Sequence, residues 1–387
     1  MDIKDFNAGN YKQRYRYKSF MPSNIDIDWQ LSDISLITLL SKADSKLGEL
    51  NSYAELIPDV DFFIRMHAYK EATLSSRIEG TQTNISEALQ KSEYIDPEKR
   101  NDWEEIQNYI KAMDVSIKSL NNLPLSNRLL KKTHAILMQG VRGKHKQPGE
   151  FRKSQNWIGG VSLNDAVFIP PHHEDLPELM SDFEKFLNDD VRPLPHLIKI
   201  GIAHYQFETI HPFLDGNGRV GRLLITLYLV DKKLLSKPAL YLSAFFERNK
   251  SLYYDNLTIV RINNNLTQWL KFFLEGVRQT AENSIETFRA IIKLRRKVEN
   301  EDIVRLGKKT KLAQLFLNYL YSNPIVRSND VSEQLSINPS TALRLIDDFV
   351  NLGILKDLTG GKRNRAFAFE KYLELFEIGK QQSKILI

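Results

Sequence analysis

HPFLDGNGRVGR, residues 211–222, decides the fold, because its glycines fit two incompatible architectures. Gly216, Gly218 and Gly221 reproduce G-x-G-x-x-G, the phosphate turn of a dinucleotide-binding unit. That turn needs a buried strand before it and an acidic residue about twenty positions later, ending a second strand. Here GIAHYQFETIHPF upstream has a helix-compatible pattern, and LLITLYLVDKKLLSKPALYLSAFFE downstream is predominantly helical. The context rejects a nicotinamide or flavin cofactor.

A second reading uses more of the residues. Gly216-Asn217-Gly218 lets successive backbone N–H groups turn inward as an anion nest, since glycine tolerates positive φ. The helix RVGRLLITLYL follows at once and points its positive end at whatever the nest holds. Arg219 and Arg222 share roughly one face of that helix and can clamp successive phosphates. Asp215 offers the hard oxygen that nucleotide-bound Mg²⁺ prefers. His211 can take a proton from an incoming hydroxyl, and Phe213 reads as a core anchor for the loop. Together these residues describe a nucleotidyl- or phosphoryl-transfer site.

Working outward, the 387 residues allow two or three domains, and the net charge of +6 is a mild bias that permits a polyanionic partner without arguing for one. The absence of cysteine excludes disulfides, thiolate metal sites and cysteine nucleophiles. With no signal-peptide core and no membrane-length apolar run, the expectation is a soluble cytoplasmic protein with no membrane partner.

The pattern is mainly α. Residues 1–30 are a polar, aromatic arm. Helical periodicity begins at Trp29 and continues through SNRLLKKTHAILMQG, with a capping box at Asn84 to Glu87 opening ISEALQKS. Between 141 and 175 the runs NWI and AVFI, separated by Gly159-Gly160 and Asn164-Asp165, predict a β-hairpin. His172-His173 falls on a surface loop. His204 and Glu208, four apart before His211, raise a metal site, but zinc needs a third protein ligand in defined geometry. His204 reads better as a packing residue. The charged stretch KLRRKVENEDIVRLGKKTK precedes three short helices, the third capped by Asn338 with Pro339 in its first turn, and a basic hairpin around Gly360-Gly361. That order is a winged helix-turn-helix. The expected divisions are 1–98, a helical region; 99–290, the core; 291–309, a charged connection; and 310–387, the winged helix.

H-P-F-x-D-G-N-G-R-x-x-R is the signature of Fic-domain proteins, and residues 211–222 match every specified position. SQNWIGG and VFIPPHHEDLPELM resemble that family's flap hairpin and the segment after it. TLSSRIEGTQTNISEAL resembles the N-terminal region of larger members. The resemblance implies a helical Fic core with a β-hairpin flap, transferring AMP from ATP to a Ser, Thr or Tyr hydroxyl of a target protein, or of itself. It implies His211 as general base, Asp215 as the Mg²⁺ ligand, and Asn217 with Gly216 and Gly218 around the α-phosphate. Arg219 would contact the triphosphate and Arg222 the γ-phosphate; Tyr254 and Arg261 would line the adenine pocket. A homodimer is also implied.

An edge strand offers unpaired N–H and C=O groups, so a target loop could add to the flap at Ile158, Gly159, Gly160 and Val161 or at Val167, Phe168 and Ile169. Ser75 to Gly80, SSRIEG, matches the family's inhibitory pattern, with Ser75, Glu79 and Gly80 at its specified positions. By resemblance Glu79 would pair with Arg222 and brake the enzyme, or, as in some relatives, support removal of AMP. A rival reading makes the chain a DNA-binding transcription regulator whose core senses nucleotide. Ser340, Thr341 and Arg344 would then face bases, with Lys362, Arg363 and Arg365 near phosphates. Asp347 and Asp348 on the same helix weigh against DNA, and the fold also serves protein interaction. Donors other than ATP are less favoured by the intact Asp215 and Asn217.

Overall fold

The computed structural model describes residues 1–56, 60–140, 143, 145–360 and 365–376. Strands β1 (Gly9–Gln13) and β2 (Lys18–Pro22) form an antiparallel hairpin. The expected surface arm is therefore an ordered element. Helices α1 (Ile34–Leu56), α2 (Val60–Ile78), α3 (Ile85–Ala88), α4 (Arg100–Ser119) and α5 (Asn127–Leu137) follow. The capping box at Asn84 and Glu87 forms, but α3 lasts only a single turn.

Helices α6 (Leu176–Asn188), α7 (His196–Ile210) and α8 (Asn217–Asp231) carry the centre of the molecule. Every residue of α7 from Leu197 to Ile210 is buried. A helix buried on all faces is stable only when wrapped by other elements. Helices α9 (Ser243–Arg248), α10 (Lys250–Asn263) and α11 (Leu266–Lys297) complete that wrapping. Gly201 lets α11 approach α7: a Cβ there would stand 2.8 Å from Leu270. The Trp269 indole N–H donates to the Gly201 carbonyl at 2.8 Å.

The charged stretch 291–309 is helical rather than extended. Its first seven residues end α11, and a π turn and a 3₁₀ segment carry the chain to Lys309. Helices α12 (Thr310–Ser322), α13 (Ser328–Leu335) and α14 (Pro339–Asn351) then lie with strands β3 (Ile325–Arg327), β4 (Lys356–Asp357) and β5 (Ala366–Ala368), an antiparallel sheet ordered β3-β5-β4. Asn338 caps α14, accepting from Thr341 N at 3.0 Å. Three helices and the strands β4 and β5 follow in the order read from the sequence, with β3 as an additional short strand. The unit packs on α2: the Phe63 ring lies 5.6 Å from Tyr321 and 6.3 Å from Tyr372.

Between Phe151 and His172 the flap is a loop joined by one antiparallel bridge, Ile158 with Phe168. The expected two-strand ladder does not extend further. Gly159 and Gly160 take φ of 70° and 72°, and Asp165 accepts from Val161 N at 2.8 Å and Ser162 N at 2.7 Å. An aspartate bonding neighbouring backbone bends the chain out of the extended conformation. Phe20 N, on β2, donates to Ile169 O at 2.9 Å, so the N-terminal hairpin lies beside the flap.

Candidate active site

The loop 211–216 is set between two left-handed residues. His211 ends α7 at φ 51°, and Gly216 opens α8 at φ 76°. A histidine at positive φ is uncommon and persists only when its surroundings over-determine it. Here Arg152, buried, supplies the restraint. Its Nε donates to His211 O at 3.0 Å, Nη2 to Pro171 O at 2.6 Å, and Nη1 to Ser154 O at 3.2 Å. Asn156 adds Nδ2 bonds to Phe213 O at 2.9 Å and His211 O at 3.2 Å. One guanidinium and one amide therefore rivet the base of the flap to the loop.

From below, Phe213 is fully buried and stacks on the His134 ring with centroids 3.8 Å apart. Gly149 N donates to His134 Nδ1 at 2.9 Å, so Nε2 carries the proton and donates to Asp215 O at 3.0 Å. Arg152, Asn156 and His134 were not among the residues expected from sequence. Each is a single polar residue remote in sequence from the loop, without a local pattern to flag it.

Burial, followed by the positive charge of Arg152, pushes the His211 imidazole down to about 4. It is neutral near pH 7. Its Nδ1 lies 3.4 Å from Glu208 O, an arrangement that leaves Nε2 as the basic nitrogen. Asn217 is buried, and its side chain closes the loop, accepting from Phe213 N and donating to Phe213 O, both at 2.8 Å. One amide N–H remains for another acceptor. Gly216 N donates to Asp215 Oδ1 at 2.6 Å, while the Asp215 side chain stays half exposed. Helix α8 has no side-chain cap, so Asn217, Gly218 and Arg219 carry N–H groups without an intrahelical acceptor.

The two arginines are already engaged. Arg219 Nη1 donates to Glu105 at 3.1 Å. Arg222 Nη2 donates to Glu79 Oε1 at 2.6 Å and to Ser75 O at 2.9 Å, and Nε donates to Ser75 Oγ at 2.9 Å. Glu79 directly follows α2 and is brought over α8, where a methyl on Gly218 would collide with its Oε1. Burial raises the Glu79 carboxyl, but Arg222, Arg219 and His211 more than offset this and hold it below its usual value. Gly80 follows at φ 109°. Glu208, buried against Gly221, is pushed by burial up to about 7, with Arg222 opposing the shift.

The structure resolves the other expected residues differently. His204 is buried, with Nδ1 2.9 Å from Gly221 O and Nε2 2.9 Å from the Tyr253 hydroxyl. Both ring nitrogens are thus occupied by packing partners. Arg261 stacks over the Phe168 ring at 3.9 Å, bracing the flap, while Tyr254 is partly exposed beside Tyr253. In the C-terminal unit Ser340 and Thr341 both bond Asn338 Oδ1, at 2.9 and 2.7 Å, and Arg344 is exposed. Arg365 donates to Asp357 at 2.8 Å and lies 3.8 Å from Asp347, so its charge is opposed by carboxylates. Lys362 and Arg363 lie outside the described residues.

Residues 37–118 match the Fic/DOC family N-terminal region, and residues 124–229 match the Fic/DOC family itself. Similar curated proteins include Protein adenylyltransferase Fic of Aedes aegypti, 29% identical over 185 residues, covering 45% of this chain and 33% of the relative. The protein of the same name from Drosophila ananassae is 37% identical over 128 residues, covering 32% of this chain and 24% of the relative. The matches thus span a third or less of those relatives' lengths. Among solved structures, a Fic family protein from Desulfovibrio desulfuricans superposes with a TM-score of 0.54 at 18% identity, covering 87% of this chain and 96% of that one. A Fic domain containing signaling protein from Bacteroides thetaiotaomicron gives 0.52 at 17% identity, over 65% and 97%. At these identities the structural likeness speaks for the fold.

Proposed function

Because the chain belongs to the Fic/DOC family, we propose that it is a protein adenylyltransferase, moving AMP from ATP to a hydroxyl of a target protein and held back by Glu79. The observation that carries this reading is that a neutral His211, the uncapped end of α8 and Arg222 on that helix's second turn stand together at the loop 211–216. His211 Nε2 would take the proton of the attacking hydroxyl. The hydroxyl oxygen would bond to the α-phosphorus as the bond to the pyrophosphate oxygen breaks. The N–H groups of the α8 first turn and the remaining Asn217 N–H suit the charge that builds there. Positioning and electrostatics account for the rate, with no covalent protein intermediate.

Asp215 fits a nucleotide-bound Mg²⁺: it is half exposed, and Gly216 N occupies only one of its oxygens. Such an ion would neutralise charge on the phosphates and orient them. Tyr254 would flank the adenine, and Arg261 would act through the flap. A target segment would pair along the flap near Ile158, the side away from β2.

Glu79 is the proposed brake. Its carboxylate holds the guanidinium that would otherwise receive the γ-phosphate, and it stands at the anion-binding end of α8. The same position also suits a role in removing AMP. Incubating the Glu79→Gly protein with α-labelled ATP, Mg²⁺ and cell lysate, beside a Glu79→Gly/His211→Ala control, tests the assignment. Label on protein that disappears in the control is the expected result; label persisting in the control removes His211 as base. A homodimeric state and a cytoplasmic setting are further parts of the reading; DNA binding by the C-terminal unit belongs to the rival reading, and the carboxylates of Asp357 and Asp347 beside Arg365 weigh against it. Among the described residues no helix is long and apolar enough to cross a membrane.

A further inference from the structure

Two carboxyl groups stand against the first turns of α8. A Cβ on Gly218 would lie 2.3 Å from Glu79 Oε1, and a Cβ on Gly221 would lie 2.3 Å from Glu208 Oε1. Positions three apart on a helix have Cβ atoms about 5–6 Å from each other, so the two acids border a single turn. Arg222, the next residue, sends Nη1 back over that turn, 2.8 Å from the Cβ position of Gly218. Helical side chains lean toward the N-terminus in this way. The guanidinium therefore covers a turn with an acid at each end, and of the two it bonds Glu79.

Glu208 is 9% exposed, and its Oε1 has no hydrogen-bond partner among the described residues. The charged and titratable groups that bear on it are Arg222 from α8, Glu79, and Arg261, Tyr253 and Tyr254 from α10. A third acid, Glu71 on α2, also bears on Arg222, but both its oxygens are committed. Oε1 accepts from the Ser243 and Tyr109 hydroxyls at 2.5 and 3.1 Å, and Oε2 from Ser243 N at 3.2 Å. Burial pushes the Glu208 carboxyl up to about 7 against the pull of Arg222, and the Glu79 charge adds to the rise. While Glu79 is in place, one guanidinium thus faces one full negative charge and a neighbour held mostly neutral below pH 7.

Removing one partner of a buried ion pair is strongly destabilising, because it leaves an uncompensated charge. Arg222 is almost completely buried and is held by Ser75 as well, so it stays in place when Glu79 leaves. We propose that Glu208 is a positioning residue: it supplies the counter-charge to Arg222 once Glu79 has left, and keeps the guanidinium at the α8 end until a γ-phosphate arrives. In that exchange Glu208 releases one proton to solvent, and its carboxylate turns the free oxygen to the guanidinium. The pairing stands on the geometry at α8; its place in the release of the enzyme rests on the reading of Glu79 as the brake.

Thermal melts of the full chain at about pH 6.5 test the pairing. Glu208→Gln alone should shift the melting temperature by no more than about 2 °C, because it replaces a mostly neutral carboxyl with an amide of the same shape. Glu79→Gln/Glu208→Gln should lower it on the order of 5 °C more than the two single changes together. Glu79→Gln/Glu208→Asp, which restores the charge on a shorter side chain, should recover most of that loss. Additive shifts, or a glutamine that serves better than the aspartate, overturn the pairing. Infrared difference spectra give a second reading from single variants, which decides the pairing if the double variant does not fold. The protonated-carboxyl band that Glu208→Gln removes from the unmutated chain should be at least about threefold weaker in Glu79→Gln. A band equally strong in both overturns the pairing. If Glu79→Gly transfers no more label from α-labelled ATP than the unmutated chain, the brake fails and the exchange loses its place in release, while the melts and spectra still decide the counter-charge.

Discussion

Arg222 and Glu79, 143 residues apart in sequence, meet at 2.6 Å, and the same guanidinium bonds both the hydroxyl and the carbonyl of Ser75. The Arg222 side chain is almost completely buried while that of Glu79 is about one-third exposed. The pair is therefore asymmetric. The arginine is fixed by α8 and Ser75, and the carboxylate is the partner that can leave.

Removing that partner should release activity. A charge-assisted hydrogen bond contributes about 1.5–3 kcal/mol, so Glu79→Gly is expected to raise AMP transfer on the order of 10- to 100-fold. Incorporation of α-labelled ATP into protein measures it. Transfer no higher than that of the unmutated chain would sink the brake.

The pH profile of the released enzyme follows from His211. Its folded-state value is about 4, lowered first by burial and then by Arg152. The base is therefore unprotonated through the neutral range, and kcat/KM of Glu79→Gly should stay level down to about pH 5 and fall below it. Glu208, held near 7 by burial, is the neighbour that could add a second limb. Repeating the profile in Glu79→Gly/Glu208→Gln separates them. A limb near 6.5 that survives that substitution would contradict a buried, neutral base.

Arg152 should matter for both stability and rate. It bonds carbonyls on both the flap and the loop, and Lys cannot reproduce a planar fork of five donors. Arg152→Lys should destabilise the fold by about 2–3 kcal/mol through unsatisfied buried groups, read by denaturant unfolding. In the Glu79→Gly background it should lower kcat more than it raises KM, because His211 loses its backbone restraint. An unchanged kcat would make Arg152 a packing residue only.

His204 makes a linkage prediction. Burial pushes it to about 3 in the fold, while an exposed histidine titrates near 6.5. The unfolded chain binds the proton first as pH falls. The stability tied to a neutral His204 is thus intact above pH 6.5 and is lost progressively toward pH 3. Between pH 6.5 and 4.5, stability should fall less steeply in His204→Gln than in the unmutated chain, by about 1.4 kcal/mol per pH unit. Equal slopes would mean that the ring is protonated inside the fold.

The 211–222 loop was legible because its parts are local. A histidine, a carboxylate, a pair of glycines and two arginines at fixed spacing need only one turn and one helix to come together. The helices around it were legible from periodicity, and Asn338 and Asn84 from cap chemistry that acts over three residues. The flap was legible as a hairpin-shaped excursion but not in extent, because Asp165 bonds the backbone that a ladder would have used. The N-terminal hairpin was missed altogether: β1 and β2 pair locally, but GNYKQ and KSFMP carry no clear apolar–polar alternation, and the flap that β2 rests on lies about 150 residues away.

By itself, then, the sequence determined a mainly helical protein with a glycine-containing loop before a buried helix, because helix periodicity, capping and glycine conformations are short-range properties of the chain. Only the tertiary structure decided what holds that loop, and it set Glu79, which the family resemblance had pointed to, against Arg222. Arg152, Asn156 and His134 are single polar residues that gain meaning from a buried carbonyl, ring or amide brought beside them. Glu79 is an ordinary charge at a helix end until α2 packs across α8. Its value then changes because a buried guanidinium cannot be left without a counter-charge.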